Sequence, residues 1–239
     1  HNHKSKDFPF FGQGCTFTDD TVCTIAVADC LMNDGDFADF LRRYVRKHPY
    51  RGYGGMFREW AGSNMGPYNS WGNGSAMRVS PVAHVARDEQ ELLDLAEQTS
   101  VVTHNHPDAV AGAQTTALTM WMAKFGIDVA AIREEISNRF DYNLSPSVDD
   151  IRPSYRFDIS CAGTVPQAIT CALEGTDYED AVRNAISIGG DADTIACITG
   201  GIAEVMFGLP DEIAEASLGY LTDDLIEVVD RFQSTKEET

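Results

Sequence analysis

Two phrases in this chain concentrate oxygen donors where helices begin. One is Thr18-Asp19-Asp20-Thr21; the other is Gly189-Gly190-Asp191-Ala192-Asp193-Thr194, and each leads into an apolar run. Carboxylates and hydroxyls at a helix start can do either of two jobs. They can accept hydrogen bonds from the orphan N–H groups of the first turn, where the helix dipole also favours negative charge. They can instead hold a hard cation such as Mg²⁺, Mn²⁺ or Ca²⁺, whose preferred ligands are oxygens. Asp19 and Asp20 are adjacent, so both cannot serve one cap. Four aspartates and two threonines meeting from two helix starts would suffice for two ions at the ~3.5–4 Å spacing of binuclear sites. The carboxylates would then have to outweigh the positive end of each dipole. The D-x-D-x-D-G loop of an EF-hand is absent. The residues alone leave capping and metal binding both open.

Two further stretches carry chemistry less specifically. Trp71-Gly72-Asn73-Gly74-Ser75-Ala76-Met77-Arg78 puts small residues before an apolar segment. Such a loop exposes backbone N–H groups that suit a phosphate or carboxylate, or it is an ordinary turn. It matches neither a P-loop nor a G-x-G-x-x-G dinucleotide fingerprint. Thr103-His104-Asn105-His106-Pro107-Asp108 places two imidazoles before a helix. They can ligate a metal, or His106 can orient a phosphate or sugar hydroxyl, or the segment is a capping turn. The letters H-N-H do not make a nuclease, because those residues are dispersed over a ββα-metal unit.

The elements that must position these groups are helical. Thr18 reads as the N-cap of a helix carrying Val22, Ile25, Ala26, Asp29 and Cys30. A second covers Phe37 to Lys47 with Phe37, Leu41 and Tyr44 on one face, stopped by Pro49. Residues 48–75 form a stretch rich in glycine and aromatics, including Tyr53, Trp60, Tyr68 and Trp71, to which no helix is assigned. A helix over Asp88 to Ser100 presents Leu92, Leu95 and Ala96, and Pro107 opens another that runs to Lys124 with Ala111, Leu118 and Trp121 on its face. Further helices are expected at 128–140, 163–174, 177–186, Asp193 to Phe207 and Asp223 to Phe232, with a frayed polar tail from Ser234 to Thr239. Residues 1–17 look irregular. Period-2 alternation is almost absent and no linker interrupts the chain, so the expectation is one all-α, compact, multi-helix domain over 1–239.

Composition bounds the function. The chain has 239 residues, with 18 Lys plus Arg against 37 Asp plus Glu, for a net charge of −19. That balance opposes a nucleic-acid backbone, whose binding rests on Lys and Arg. No apolar run reaches the ~18 residues of a spanning helix, and no signal-peptide pattern opens the chain. The six cysteines form no C-x-x-C pair and mostly sit among Ala, Ile and Val. They read as buried thiols in a reducing compartment, with the cytoplasm as the default.

Together the motifs resemble the ADP-ribosylglycohydrolase family, which includes dinitrogenase-reductase-activating glycohydrolase and the ADP-ribosyl-acceptor hydrolases. The resemblance rests on Thr18-Asp19-Asp20-Thr21, the Gly72 to Arg78 loop, Thr103-His104, Val165-Pro166-Gln167-Ala168-Ile169 and Gly189 to Thr194. It implies an all-α fold with a binuclear Mg²⁺ or Mn²⁺ centre and removal of ADP-ribose from a modified protein or related acceptor. Thr18, Asp19, Asp20, Asp191, Asp193 and Thr194 would be the metal ligands. Asn73, Gly74, Ser75, Met77 and His106 would line the ADP-ribose cleft, with Tyr53 and Trp71 as weaker candidates for adenine or ribose contacts. Asp19, Asp20 and Asp191 would carry the chemistry, Asp19 or Asp191 taking the proton. The family's opening helix, with its Gly-Asp-Ala-x-Gly-like phrase and in some members a nearby glutamate, has no counterpart before Thr18. The expectation is therefore an N-terminally truncated domain with an exposed apolar groove where that helix would dock. The alternative function is an ADP-ribose-binding module of the same fold without turnover. Oligomeric state is not legible.

Overall fold

A computed structural model describes residues 3–236. Thr18 is extended, and the chain turns there into α1 (Asp19–Met32), which buries Val22, Cys23, Ile25, Ala26 and Val27. Its partner α2 (Phe37–Lys47) is capped by Asp36, whose side chain accepts from the Asp39 amide, and buries Phe37, Leu41, Tyr44 and Val45. Halfway along α1, Asp29 is buried with its charge matched. It accepts from Arg43 Nη2 and Tyr44 Oη at 2.8 Å each and from Arg231 Nη2 at 2.7 Å. That cluster ties α1 to α2 and to the last helix.

The glycine- and aromatic-rich stretch contains a helix that was not expected, α3 (Gly55–Gly62), which buries Phe57, Trp60 and Ala61. The apolar segment after the Gly72 loop divides into α4 (Gly74–Met77) and α5 (Ser80–Val85). Then follow α6 (Glu89–Val101), capped by Asp88, and α7 (Pro107–Lys124), capped by His106. The face expected for α7 is corrected here. Ala111 and Trp121 are only half-buried, whereas Ala109, Gly112, Ala113 and Thr115 to Met120 are buried, because α7 packs against α4, α5, α6 and three of the helices that follow. A central helix enclosed on nearly all sides shows no single apolar stripe.

The remaining helices are α8 (Val129–Phe140), α9 (Val148–Ile151), α10 (Cys161–Leu173), α11 (Tyr178–Ile188), α12 (Ala192–Phe207), α13 (Asp211–Leu218) and α14 (Asp223–Lys236). The tail expected to fray continues α14 through residue 236; residues 237–239 lie outside the described residues. The fold is all-α, as expected. Among the described residues the β structure is one antiparallel bridge between Gly72 and Ser160. One buried cluster gathers α7, α10 and α12, and a second gathers α1, α2, α3 and α14. No described helix is long and apolar enough to cross a membrane. The six cysteines are free; Cys15 is exposed, Cys197 half-buried and the other four buried.

Candidate active site

The two acidic helix starts come from distant parts of the chain and open on one cleft. Thr18 and Asp19 from α1, and Asp191, Asp193 and Thr194 from α12, line a cavity of ≈ 680 Å³. That volume lies in the range of small-molecule sites, roughly 300–1,000 Å³. Its other walls are Arg51 to Phe57 apart from Tyr53, Tyr68 to Gly74, Met77, Arg78, His104, Phe157 and Ile159.

The turn that delivers Asp191 depends on its glycines. Gly189 and Gly190 adopt φ values of +69° and +77°, and a Cβ on Gly190 would lie 2.5 Å from the Tyr155 ring. An L side chain at Gly190 is excluded by both backbone and space. The opposite wall is fixed by the Gly72–Ser160 bridge, in which the Asn73 amide donates to Ile159 O at 2.7 Å and the Cys161 amide to Trp71 O at 3.1 Å. Asn73 then reaches across the site. Its Nδ2 donates to Asp191 Oδ2 at 2.7 Å and to Thr164 Oγ1 at 3.0 Å.

Neither acidic start caps its helix. Thr18 and Asp191 hold the N-cap positions of α1 and α12, and no side-chain capping bond forms at either. Thr18 Oγ1 instead donates to Asp20 Oδ2 at 2.8 Å. Asp20 is 4% exposed, and its Oδ1 is buried without a hydrogen-bond partner. Burial first, then repulsion from Asp193 and Asp19, pushes the Asp20 pKa up to about 7. Burial also raises Asp19 to about 6, opposed by a backbone hydrogen bond and reinforced by Asp193 and Asp191. Asp191 is raised by burial and by Asp193, against the Asn73 hydrogen bond. The contrast with Asp29 is direct: one buried carboxylate is matched by two guanidinia, while each of these three is repelled by Asp193. Among the described residues no three His, Cys, Asp or Glu side chains already stand in metal-ligand geometry. The donor set is all oxygen.

The other expected residues divide. Asn73, Gly74, Met77 and Trp71 line the cleft. Ser75 does not; it is fully buried, and its hydroxyl donates to Ala109 O at 2.8 Å. Tyr53 is buried with its hydroxyl on His48 O. His106 accepts from the Asp108 amide at 3.2 Å as the cap of α7 and is not on the cleft wall. The imidazole that faces the cleft is His104, two residues earlier. Arg78, Arg51, Phe157 and Ile159 are also on the wall and were not anticipated as site residues. Arg78 carried a signal, a guanidinium ending a glycine loop and entering an apolar run.

A sequence model of the ADP-ribosylglycohydrolase family matches residues 2–238. The chain is 24% identical to ADP-ribosylhydrolase ARH3 of Danio rerio, over 81% of this chain and 70% of the relative. It is 25% identical to ADP-ribosylarginine hydrolase Tri1 of Pseudomonas putida, over 84% of this chain and 61% of the relative. Identity to ADP-ribosyl-[dinitrogen reductase] glycohydrolase of Rhodospirillum rubrum is 27%, over 81% and 70%. A solved structure, an ADP-ribosylglycohydrolase-related protein complex, shares the fold with a TM-score of 0.65 at 22% identity, over 92% of this chain and 78% of that one.

Proposed function

The chain belongs to the ADP-ribosylglycohydrolase family, and from that premise we propose that it hydrolyses the glycosidic bond joining ADP-ribose to an acceptor, using two divalent cations, Mg²⁺ or Mn²⁺. The observation that carries this reading is the meeting of two uncapped acidic helix starts at one cleft. The names of the three hydrolase relatives support the bond class.

Thr18, Asp19, Asp20, Asp191, Asp193 and Thr194 would hold the ions. The residues fit them in kind: the donors are oxygens, Asp20 Oδ1 lacks a partner, and three carboxylates are raised by burial and mutual repulsion that a cation would relieve. Bound there, the ions would supply Lewis acidity and a water of lowered pKa.

The chain's own groups do the rest. Cleavage at the ribose anomeric carbon passes through an oxocarbenium-like transition state, which carboxylates facing that carbon stabilise. Asp19 is the better placed to take the proton. It lines the cleft, where it can reach the reacting centre. Asp191 is held by Asn73 and therefore orients rather than moves. Trp71, Phe157 and Ile159 present exposed apolar surface at the cleft, against which a planar base and sugar can pack while excluding water.

The test is release of free ADP-ribose from arginine-linked, serine-linked and O-acetyl conjugates, in chelator and with added Mg²⁺ or Mn²⁺. We expect release from at least one conjugate, and only with the ion present. Undiminished release in chelator would remove the cations from the reading. ADP-ribose binding without release would leave a binding module, and neither binding nor release would refute the function.

A further inference from the structure

Beneath the Gly72–Gly74 loop lies a chain of three polar side chains that the reaction described above does not use. Arg78 is fully buried, and its Nη2 donates to Thr99 O at 2.7 Å and to Thr103 Oγ1 at 2.9 Å. Thr103, equally buried, has its Oγ1 2.6 Å from His104 Nδ1. The His104 main chain is clamped to the end of α6, its amide donating to Ser100 O at 2.8 Å and its carbonyl accepting from Ser100 Oγ at 2.7 Å. Its Nε2 has no protein partner among the described residues and lies over the glycine loop. A Cβ on Gly74 would meet Nε2 at 3.0 Å, so the absence of a side chain there leaves that nitrogen its room.

The hydrogens can be assigned by elimination. A guanidinium can only donate, so Thr103 Oγ1 accepts from Arg78. The Thr103 hydroxyl carries one hydrogen and is buried, and among the described residues its only other neighbour at bonding distance is His104 Nδ1. Were Nδ1–H to donate to Thr103, the hydroxyl hydrogen would be buried with no acceptor, at a substantial desolvation cost. The hydroxyl therefore donates to Nδ1, and a neutral imidazole accepting at Nδ1 carries its proton on Nε2. Burial first, and the Arg78 charge second, hold the His104 pKa well below the ordinary histidine value, so the ring stays neutral. The other ring groups around it are Tyr68 at 5.9 Å and Phe57 at 6.4 Å.

We propose that Arg78 and Thr103 are positioning residues that lock His104 as an Nε2–H donor aimed into the cleft, where it binds an oxygen acceptor of the ligand, a sugar hydroxyl or a phosphate oxygen. This rests on ADP-ribose being the occupant, and the experiment separates the two claims. Thr103→Val deletes the hydroxyl at nearly constant shape, and Thr103→Ser keeps it.

In long-range ¹H–¹⁵N spectra of the ligand-free protein, His104 is expected as the neutral Nε2–H tautomer from pH 5.5 to 8. The wild type and Thr103→Ser should both show it, and Thr103→Val should lose it. ADP-ribose affinity should fall about ten- to hundredfold in Thr103→Val and recover in Thr103→Ser. A protonated or Nδ1–H His104 in the wild type overturns the proposal, as does a Thr103→Val variant with wild-type affinity. Should the wild type bind no ADP-ribose, the proposed function falls and the spectra alone decide the lock. Equal thermal shifts in the two variants, with affinity lost only in Thr103→Val, would exclude a merely structural role for the hydroxyl.

Discussion

Replacing either Asp20 or Asp193 by alanine is expected to reduce release of ADP-ribose by about 10³-fold, the scale of removing a major electrostatic stabiliser from a site. The two substitutions act from different helix starts, α12 and α1. Asp193 lies on the cleft, at the start of α12. Asp20 lies behind it, 4% exposed, with one oxygen on Thr18 and the other without a partner. A buried carboxylate without a cationic neighbour does nothing for the fold, so conserving activity after its removal would be hard to reconcile with a role for the acidic starts. Single-turnover rates at saturating Mg²⁺ or Mn²⁺ are the measurement. Activity within about tenfold of wild type in both variants would reject the carboxylate cluster as the reacting centre.

The second expected result concerns stability and has an unusual sign. In chelator at pH 8, Asp20→Asn should be more stable than the wild type. The Asp20 pKa rises on folding from 3.8 to about 7. Between those values the folded chain holds a proton that the unfolded chain has lost, so stability increases as pH falls through about 7 and is lowest above it. The penalty removed at pH 8 is about 4 kcal/mol, which for a chain of this size corresponds to roughly 8–16 °C in melting temperature. The window from pH 8 to 7 isolates most of the effect, because the depressed pKa of His104 works in the opposite direction chiefly near and below the ordinary histidine pKa. In that window the wild type should gain stability as pH falls and Asp20→Asn should change little. Asp29→Asn supplies the control of opposite sign, since it unpairs Arg43 and Arg231 and should destabilise. Added Mg²⁺ or Mn²⁺ should raise the wild-type melting temperature, as any ligand of the folded state does, and raise Asp20→Asn far less. Calorimetry of the three proteins checks this. A less stable Asp20→Asn in chelator would show that the carboxylate cluster is not repulsive.

Much of this molecule was legible in its sequence because its punctuation is local. Thr18 before two aspartates, Pro49 as a stop and Pro107 at a first helical position each act over a single turn. The start predicted for α1 and the bounds predicted for α2, α6 and α7 agree with the structure to within a residue or so. The missed helix α3 has glycines at both ends and only eight residues between its bounds. Its spacing of Phe57, Trp60 and Ala61 is helical, but seven glycines in the surrounding stretch obscure it.

The site divides along the same line. Uncapped acidic starts could not be told from capped ones, because whether Thr18 turns to an amide or to Asp20 is a matter of side-chain rotamer. His106 was open to a better reading: a residue directly before a proline at the first helical position is the N-cap. The orientation of His104 was beyond reach, since the Thr103 hydroxyl beside it is itself held by the Arg78 guanidinium, brought there by the packing of α4 against α7 and α6. Ser75 shares a phrase with Asn73 and Gly74, yet one step along a helical turn rotates its hydroxyl from the cleft to the carbonyl of Ala109.

The distance along the chain between the two acidic starts has a kinetic consequence. The carboxylates of α1 and α12 repel one another only when nearly the whole chain has been brought together, and forming contacts of such high sequence separation is slow. Where the segments dock after the main folding barrier, their repulsion is absent from the transition state and present in the native state. It then acts on the unfolding rate and hardly on the folding rate. The acidic site is in that sense a latch under tension: protonation, amide substitution or a counter-ion at Asp20 lengthens the lifetime of the native chain without altering how quickly it is reached.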